Sequence, residues 1–320
     1  MVMNIFIVID KFWKIFVIFK LRLSINFLNF SYNMCKIVLE NVAVKRFANV
    51  IKRSAAQDNL IFITIKGSEF ESTAYNANKS ALKAVSVDCE KLCDHFVNEA
   101  ADEDVKIQFS NANKLLSVLS LVGTEGVKVT FDIASNNYAR KVTVENEEIN
   151  LTVPCADSNA LSFLEIPDRV RYNIFEDTTN LLYKFDVNDA EFKYMNQLFG
   201  LNKESVRVFF NKVGNDVYLS EIESTDENVR ASVNEIINDE DFEAFKNFEK
   251  LYCKTLNTSD FEDVAGVENH LACFNKQYFF WADNDKRYTI EFHNNRIKIV
   301  SYDDESGMKT FLVLTSIKFA

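Results

Sequence analysis

The sequence predicts an α+β protein made of two repeated units, each with two helices packed on antiparallel sheets. Three observations predict it. Short alternating apolar runs separated by tight turns dominate the chain. A few longer stretches carry the 3.6-residue period of helices. The order helix, strands, helix, strands occurs twice, as a repeat of pattern without repeated residues. The 320 residues suffice for two domains with sizeable cores. Apolar types at 48% and aromatics at 13% argue for packed interiors rather than disorder. Only 7 Gly and 2 Pro occur, too few for glycine loops that cradle phosphates.

The elements follow in order. Glu40–Gln57 reads as the clearest helix, with Ala43, Phe47, Val50, Ile51 and Ser54 on one stripe. Its other side carries Lys45, Asn49, Lys52, Arg53 and Gln57, with Arg46 between the faces and no acid after Glu40. Leu60–Lys66, Glu69–Asn76 and Ala81–Asp88 read as strands, Cys89–Glu99 as a short helix and Val105–Phe109 as a strand. Asn111–Val122 is a second helix, capped by Asn111 and stopped by Gly123. Val127–Ile133, Ala139–Val144 and Ile149–Val153 alternate as strands. Pro154 and Pro167, the only prolines, mark Pro154–Arg171 as a connector. The pattern then restarts: strand Leu182–Val187, capped helix Asn188–Gly200, and a hairpin of Val206–Asn211 with Val217–Ile222. Asn228–Ile237 reads as a further strand and Asp239–Glu249 as an acidic helix. Asn275–Trp281 is a short aromatic helix or turn. Arg287–Phe292, Arg296–Tyr302 and Lys309–Ile317 close the chain as strands. The expected domains are 34–153 and 172–320, joined by 154–171.

Residues 1–33 stand apart. The apolar run Ile5–Phe19 holds Asp10, Lys11 and Lys14 and is short for a membrane span of about 20 residues. It lacks the basic start and small-residue cleavage site of a secretory signal. Three readings stay open: a membrane-surface or anchor helix, a buried or disordered extension, and a translated leader before a biological start at Met34.

Net charge is −11, with 36 basic and 47 acidic residues, which excludes a uniformly basic DNA coat but not a local basic surface. The six cysteines form no dense framework and fit a reduced, cytoplasmic protein. Walker, GxGxxG, nucleophile-elbow and HExxH patterns are absent. Cys89, Cys93 and His95 have loose metal-ligand spacing, and His270 with Cys273 make a second pair. Buried thiols on a helix explain them better than zinc. No catalytic residue, cofactor or metal is expected. The basic face of the first helix is the main positive signal, and Lys114 adds to it from the second. The bland alternative is a solvated helix face. Positive helices on an acidic body suit sequence-independent contact with phosphates.

DVKIQFSNANKLLSVLSLV (Asp104–Val122) resembles the strand, Asn-containing turn and leucine-rich helix of the sliding clamps of T-even-like phages. FDVNDAEFKYMNQLFGLNKESVRVFFNKVGNDVYLSEI (Phe185–Ile222) is similar to the opening of that clamp's second domain, and Arg287–Ile317 to its closing strands. The resemblance runs as an ordered series of elements from Met34 to the C-terminus. It implies the ring-forming DNA clamp fold, a homotrimer whose helices face duplex DNA, and partners in a DNA polymerase and a clamp loader. Lys45, Arg46, Lys52, Arg53 and Lys114 would line the hole from the first domain, and Lys193 and Lys276 from the second. Asp189 and Glu191 make that second half less basic. Segments Glu90–Asp102 and Asp239–Asp263 have no counterpart in the shorter phage clamps. Leu161, Phe163, Leu164 and Ile166 beside the connector would line an apolar pocket for partner tails, or else tuck the connector onto a core. A phage clamp would work in the host cytoplasm. The alternatives are a structural or virion-associated β-rich protein, membrane-tethered through Ile5–Phe19, and a monomeric processivity factor.

Overall fold

The computed structural model describes residues 35–317 except 56–58, 77–78, 101–102, 176–178, 204 and 223–248. The expectations for Met1–Asn33, Asn228–Ile237 and 239–248 fall outside these residues. No helix of the described residues is long and apolar enough to cross a membrane.

The first half runs β1 (Lys36–Glu40), α1 (Val44–Ser54), β2 (Ile61–Lys66), β3 (Glu69–Tyr75), β4 (Ala81–Asp88), β5 (His95–Asn98), β6 (Val105–Phe109), α2 (Ala112–Val122), β7 (Lys128–Ile133), β8 (Ala139–Glu145) and β9 (Asn150–Pro154). A connecting helix, α3 (Asp168–Phe175), follows. The second half runs β10 (Leu181–Asn188), α4 (Asp189–Phe199), β11 (Arg207–Val213), β12 (Asp216–Ile222), β13 (Lys250–Thr255), β14 (Ser259–Asp263), β15 (Asn269–Asn275), a 3-10 turn Lys276–Trp281, β16 (Arg287–His293), β17 (Arg296–Asp303) and β18 (Met308–Thr315).

Local chemistry explains the boundaries. Asn111 caps α2 by accepting from the Asn113 amide at 3.0 Å, and Asn188 caps α4 through the Glu191 amide at 2.9 Å. Gly67 and Gly214 both take φ +57° at the hairpin turns β2–β3 and β11–β12, a conformation open to glycine.

Three expectations need correction. The first helix begins at Val44 rather than Glu40, because Glu40 ends β1 and Asn41 turns the chain with φ 53°. β1 itself was too short to stand out as a strand. Cys89–Glu99 is not a helix: a 3-10 turn at Cys89–Lys91 leads into β5, which pairs antiparallel with β1 through Val38 and Val97. Cys89 and Cys93 therefore sit on a turn, with the Cys93 thiol donating to the Cys89 carbonyl. Among the described residues no three His, Cys, Asp or Glu side chains gather as a metal site. The third correction lies between Lys250 and Asn275, where β13, β14 and β15 escape sequence notice because β13 and β14 bury little.

The strands form three antiparallel sheets, ordered β5-β1-β7-β8-β9, β14-β10-β16-β17-β18-β4-β3-β2-β6 and β13-β12-β11-β15. The large sheet spans both halves, because the last strand, β18, pairs with β4 through Phe311 and Ala84. Strand side chains alternate between faces. On one face of the seam, Val85, Val87 and Phe70 pack with Phe47, Val50 and Ile51 of α1. On the other, Leu82, Ala84, Val300 and Phe311 pack with Ile174 of α3. Helices α1 and α3 thus cover opposite faces.

The second core stacks aromatic rings, with Tyr183 at 4.7 Å from Phe292. His270 Nδ1 shares a 3.1 Å hydrogen bond with the Tyr183 hydroxyl. The Lys212 ammonium lies 5.5 Å above the Tyr183 ring and pairs with Asp263 at 3.0 Å. Burial, then the Lys212 charge, push the His270 pKa down to about 4. In the unfolded chain an imidazole protonates near pH 6.5. The native state thus resists a proton that the unfolded state accepts, so stability is complete above pH 6.5 and falls as pH drops toward 4. Allowing for partial exposure, the expected loss is about 2 kcal/mol. Denaturant titrations at pH 7 and pH 4.5 check this, and His270→Phe should flatten that part of the pH dependence.

Candidate nucleic-acid interface

Helix α1 lies beside α2, packed on β2, β3 and β4, while α2 packs on β8 and β9. Val44, Phe47, Val50 and Ile51 of α1 and Ala112, Leu115, Leu119 and Val122 of α2 point into the first core. That leaves Lys45, Arg46 and Lys52 exposed on α1, and Lys114 exposed on α2. No described residue makes an ion pair with any of these four. Lys52 also lies in the last turn of α1, where a cation complements the helix dipole. Exposed Asn113, Ser117 and Ser120 extend the polar face of α2. Their spacing of four and three residues was the available signal in the sequence, and charge alone passed over them.

Of the other predicted basic residues, two are buried in ion pairs and one is exposed but paired. Arg53 is only 8% exposed, and its guanidinium grips both Asp285 oxygens at 2.7 Å. It shares a flank with Arg46, but it stands at the end of α1, where the loop before β16 covers that flank. The partner lies 232 residues away in sequence, so no local pattern discloses it. Lys276 is 3% exposed and donates to Glu221 at 2.8 and 3.0 Å. Both are junction or core residues, not surface contacts for phosphate. Lys193 is exposed on α4, but Asp189 one turn earlier holds its ammonium at 2.6 Å. The corresponding helix of the second half thus offers little free positive charge, and Tyr194 beside Lys193 in sequence is exposed.

The connector residues also divide. Leu161 and Leu164 are buried against Phe62, and Ile166 is buried with α3. These three hold the connector to the sheet, the second of the two places the sequence left open for them. Phe163 points outward and is 57% exposed. A cavity of about 560 Å³ opens beside them, lined by Glu71, Asp104, Lys106, Tyr138, Glu165 and Arg171 among others. It is mostly polar, because Lys106 pairs with Glu165 and Arg171 with Glu71 along its wall.

Burial holds the thiols protonated, with Cys93 pushed up to about 11 and Cys155 and Cys273 to about 12. Cys253 on β13 is exposed.

No protein-family model matches the sequence, and no curated protein matches it. Solved structures do. PCNA from Thermococcus kodakaraensis superposes with a TM-score of 0.57 at 13% identity, covering 88% of this chain and 99% of that one. A. fulgidus PCNA bound to the C-terminal region of FEN-1 gives 0.56 at 13% identity, over 88% and 98%. Proliferating Cellular Nuclear Antigen from Entamoeba histolytica gives 0.56 at 13% identity, over 88% and 98%. The chain has the DNA clamp fold, mixed α+β with mostly antiparallel sheets.

Proposed function

We infer that this chain is the subunit of a DNA sliding clamp. Copies join head to tail into a ring, and duplex DNA passes through the hole. The ring then tethers a replicative polymerase after a loader has closed it around DNA. The observation that carries this is the bookkeeping of sheet edges. Raising each strand number of β5-β1-β7-β8-β9 by nine gives β14-β10-β16-β17-β18, one part of the large sheet. Raising β4-β3-β2-β6 by nine gives β13-β12-β11-β15, the small sheet. Inside the chain, the seam between the halves is β18 on β4. Its counterpart is β9 on β13, and among the described residues each of those strands has a partner on one side only. Open edges invite strand pairing. Adding β9 of one copy to β13 of the next rebuilds the nine-stranded sheet across the contact. This is a heterologous contact, which makes a ring when its rotation closes.

In such a ring the helix face turns inward and α3 turns outward. Lys45, Arg46, Lys52 and Lys114 then meet DNA phosphates without reading bases. Weak contacts of this kind permit sliding, and the acidic remainder discourages binding elsewhere. The work is scaffolding and requires no catalytic group. Three copies, the T-even-like phage kind and a place in the host cytoplasm follow from the resemblance of Asp104–Val122 and Phe185–Ile222. Among the similar structures, one clamp carries the C-terminal region of FEN-1 and another pairs PCNA2 with PCNA3, which supports protein partners and self-association here.

Light scattering on a sizing column across a dilution series tests the proposal. A mass near three subunits is expected. A monomer at every concentration rules out the self-closing ring.

A further inference from the structure

Between the two halves, β15 corresponds to β6, and the 3-10 turn after β15 corresponds to α2. The two start alike. Asn111 accepts from the Asn113 amide and Asn275 from the Gln277 amide, both at 3.0 Å. Leu115 and Phe279, each the fourth residue after its cap, are both fully buried. They then part. Helix α2 runs for 11 residues, whereas the turn stops after 6. The second half therefore lacks the last turns of a helix at this place.

A 3-10 helix repeats every three residues, so side chains at i and i+3 lie one above the other. Lys276 and Phe279 share the core side, at 3% and 0% exposed. Gln277 and Phe280 share the solvent side, where Phe280 is 55% exposed. Tyr278 and Trp281 are half-buried between these sides. The Phe280 ring is steadied by an edge-on contact with Phe199, with centroids 6.3 Å apart. Exposed Lys286 follows the turn in sequence. Lys52 of α1 belongs to the same junction, because its neighbour Arg53 grips Asp285 of the loop that follows the turn. The acids of that loop are neutralised, Asp285 by Arg53 and Asp283 by Lys83.

An exposed ring with cations near it is what holds a nucleic-acid single strand, because every base has a face to stack and every phosphate a charge to neutralise. In a duplex the base faces are already stacked on one another, so the Phe280 ring has no use for double-stranded DNA. We propose that the 3-10 turn is a stacking platform for unpaired bases of single-stranded DNA. A base lies on the Phe280 ring, the Gln277 amide hydrogen-bonds its edge, and flanking phosphates meet Lys52 and Lys286. The place of the turn on the DNA-facing wall rests on the sliding-clamp proposal. What the turn adds is a second form of DNA: the first half holds the duplex by charge, and the second half holds an unpaired strand by stacking. Such stacking is tolerant of sequence, in keeping with a protein that reads no bases.

The probe is a fluorescein-labelled oligothymidylate, compared with a duplex of the same length, each offered to the full chain at low salt. Phe280→Ala is expected to weaken oligothymidylate binding about tenfold and to leave duplex binding unchanged. The slope of log affinity against log salt should stay the same, because no phosphate contact is removed. Phe280→Trp should keep the affinity of the unaltered chain. An unaltered chain that ignores the oligothymidylate, or a Phe280→Ala chain that binds it undiminished, overturns the proposal. A second readout leaves the platform intact. Trp13 and Trp281 are the only tryptophans, so in the Trp13→Phe chain the emission comes from Trp281, beside Phe280. Unlabelled oligothymidylate should quench it and the duplex should not. Equal quenching by both, or none by either, contradicts a platform for unpaired bases. Neither readout requires a ring, so a chain that stays monomeric removes the ring without deciding the platform.

Discussion

Replacing Arg53 with alanine is expected to destabilise the chain by about 3–5 kcal/mol. Its side chain is 10% exposed and that of Asp285 5%, so neither charge has water to fall back on. The guanidinium makes two parallel bonds to the carboxylate, the strongest geometry for such a pair. Asp285 is held in turn. Its backbone amide donates to the Tyr288 hydroxyl at 2.7 Å, and that hydroxyl donates to the Asp283 carbonyl at 2.9 Å. Lys83 of β4 reaches the Asp283 carboxylate at 2.9 Å. The loop before β16 is thereby fastened to α1 and β4, and the two halves are fastened to each other. Truncating Arg53 leaves a buried carboxylate without a partner. Removing both charges, as Arg53→Met with Asp285→Leu, should restore most of the loss, because well-packed apolar groups of similar size replace a buried pair at little cost. Denaturant unfolding of the three variants checks this. A loss for Arg53→Ala within about 0.5 kcal/mol, the range of ordinary surface changes, contradicts the burial assigned to it.

The second large effect separates function from stability. The triple substitution of Lys45, Arg46 and Lys52 by alanine removes exposed charges that touch no described acid, so stability should change by less than about 0.5 kcal/mol per site. Duplex binding should suffer much more. Each phosphate that is no longer neutralised lowers the slope of log affinity against log salt by about 0.9. The assembled ring repeats the loss in every subunit, so retention on DNA at low salt should fall by at least about tenfold. The comparison substitution is Arg53→Lys, whose charge lies at the buried junction and should leave the salt slope unchanged. Retention and salt slope that survive the triple substitution would take the inner helices away from DNA.

These two predictions show what the sequence could and could not disclose. The helices α1, α2 and α4 were legible because their apolar stripes and caps are local signals, carried by Phe47, Asn111 and Asn188. The central strands were legible for the same reason, since Ile61–Lys66 and Arg296–Asp303 alternate or run apolar over their whole length. β13 and β14 were not legible, because a half-exposed edge strand such as Lys250–Thr255 has no buried face to impose a pattern. β5 was mistaken for a helix because Cys89–Glu99 has the composition of either element, and only pairing with β1 decides. The basic face was legible in Lys45, Arg46 and Lys52. Arg53 belonged to the same flank by period, and only tertiary contact with Asp285 removed it. Lys276 was lost in the same way, to Glu221. Charge in a sequence marks a capacity for a salt bridge or a ligand, and the distant chain decides which.

The equivalence of the two halves also fixes which residues should face each other between copies. Val129–Val144 followed by Val142–Val153 in the first half corresponds to Ile290–Ile299 followed by Ile297–Leu314 in the second, which places Asn150 where Phe311 stands. Counting from Gly67 and Gly214, the pairs Thr73–Ala84 and Ser220–Cys253 correspond, which places Cys253 where Ala84 stands. Phe311 faces Ala84 inside the chain, so Asn150 of one copy should face Cys253 of the next. Opposed residues in an antiparallel pair have Cα atoms about 4.5–5.5 Å apart, within reach of a disulfide. The most direct measurement is therefore mild oxidation of Asn150→Cys, followed by mass analysis under denaturing, non-reducing conditions. Head-to-tail closure predicts covalent species that stop at a closed ring in which residues 150 and 253 are joined between chains and no free thiol remains at either. A variant that stays a single chain, with Cys253 still open to maleimide, would contradict the ring.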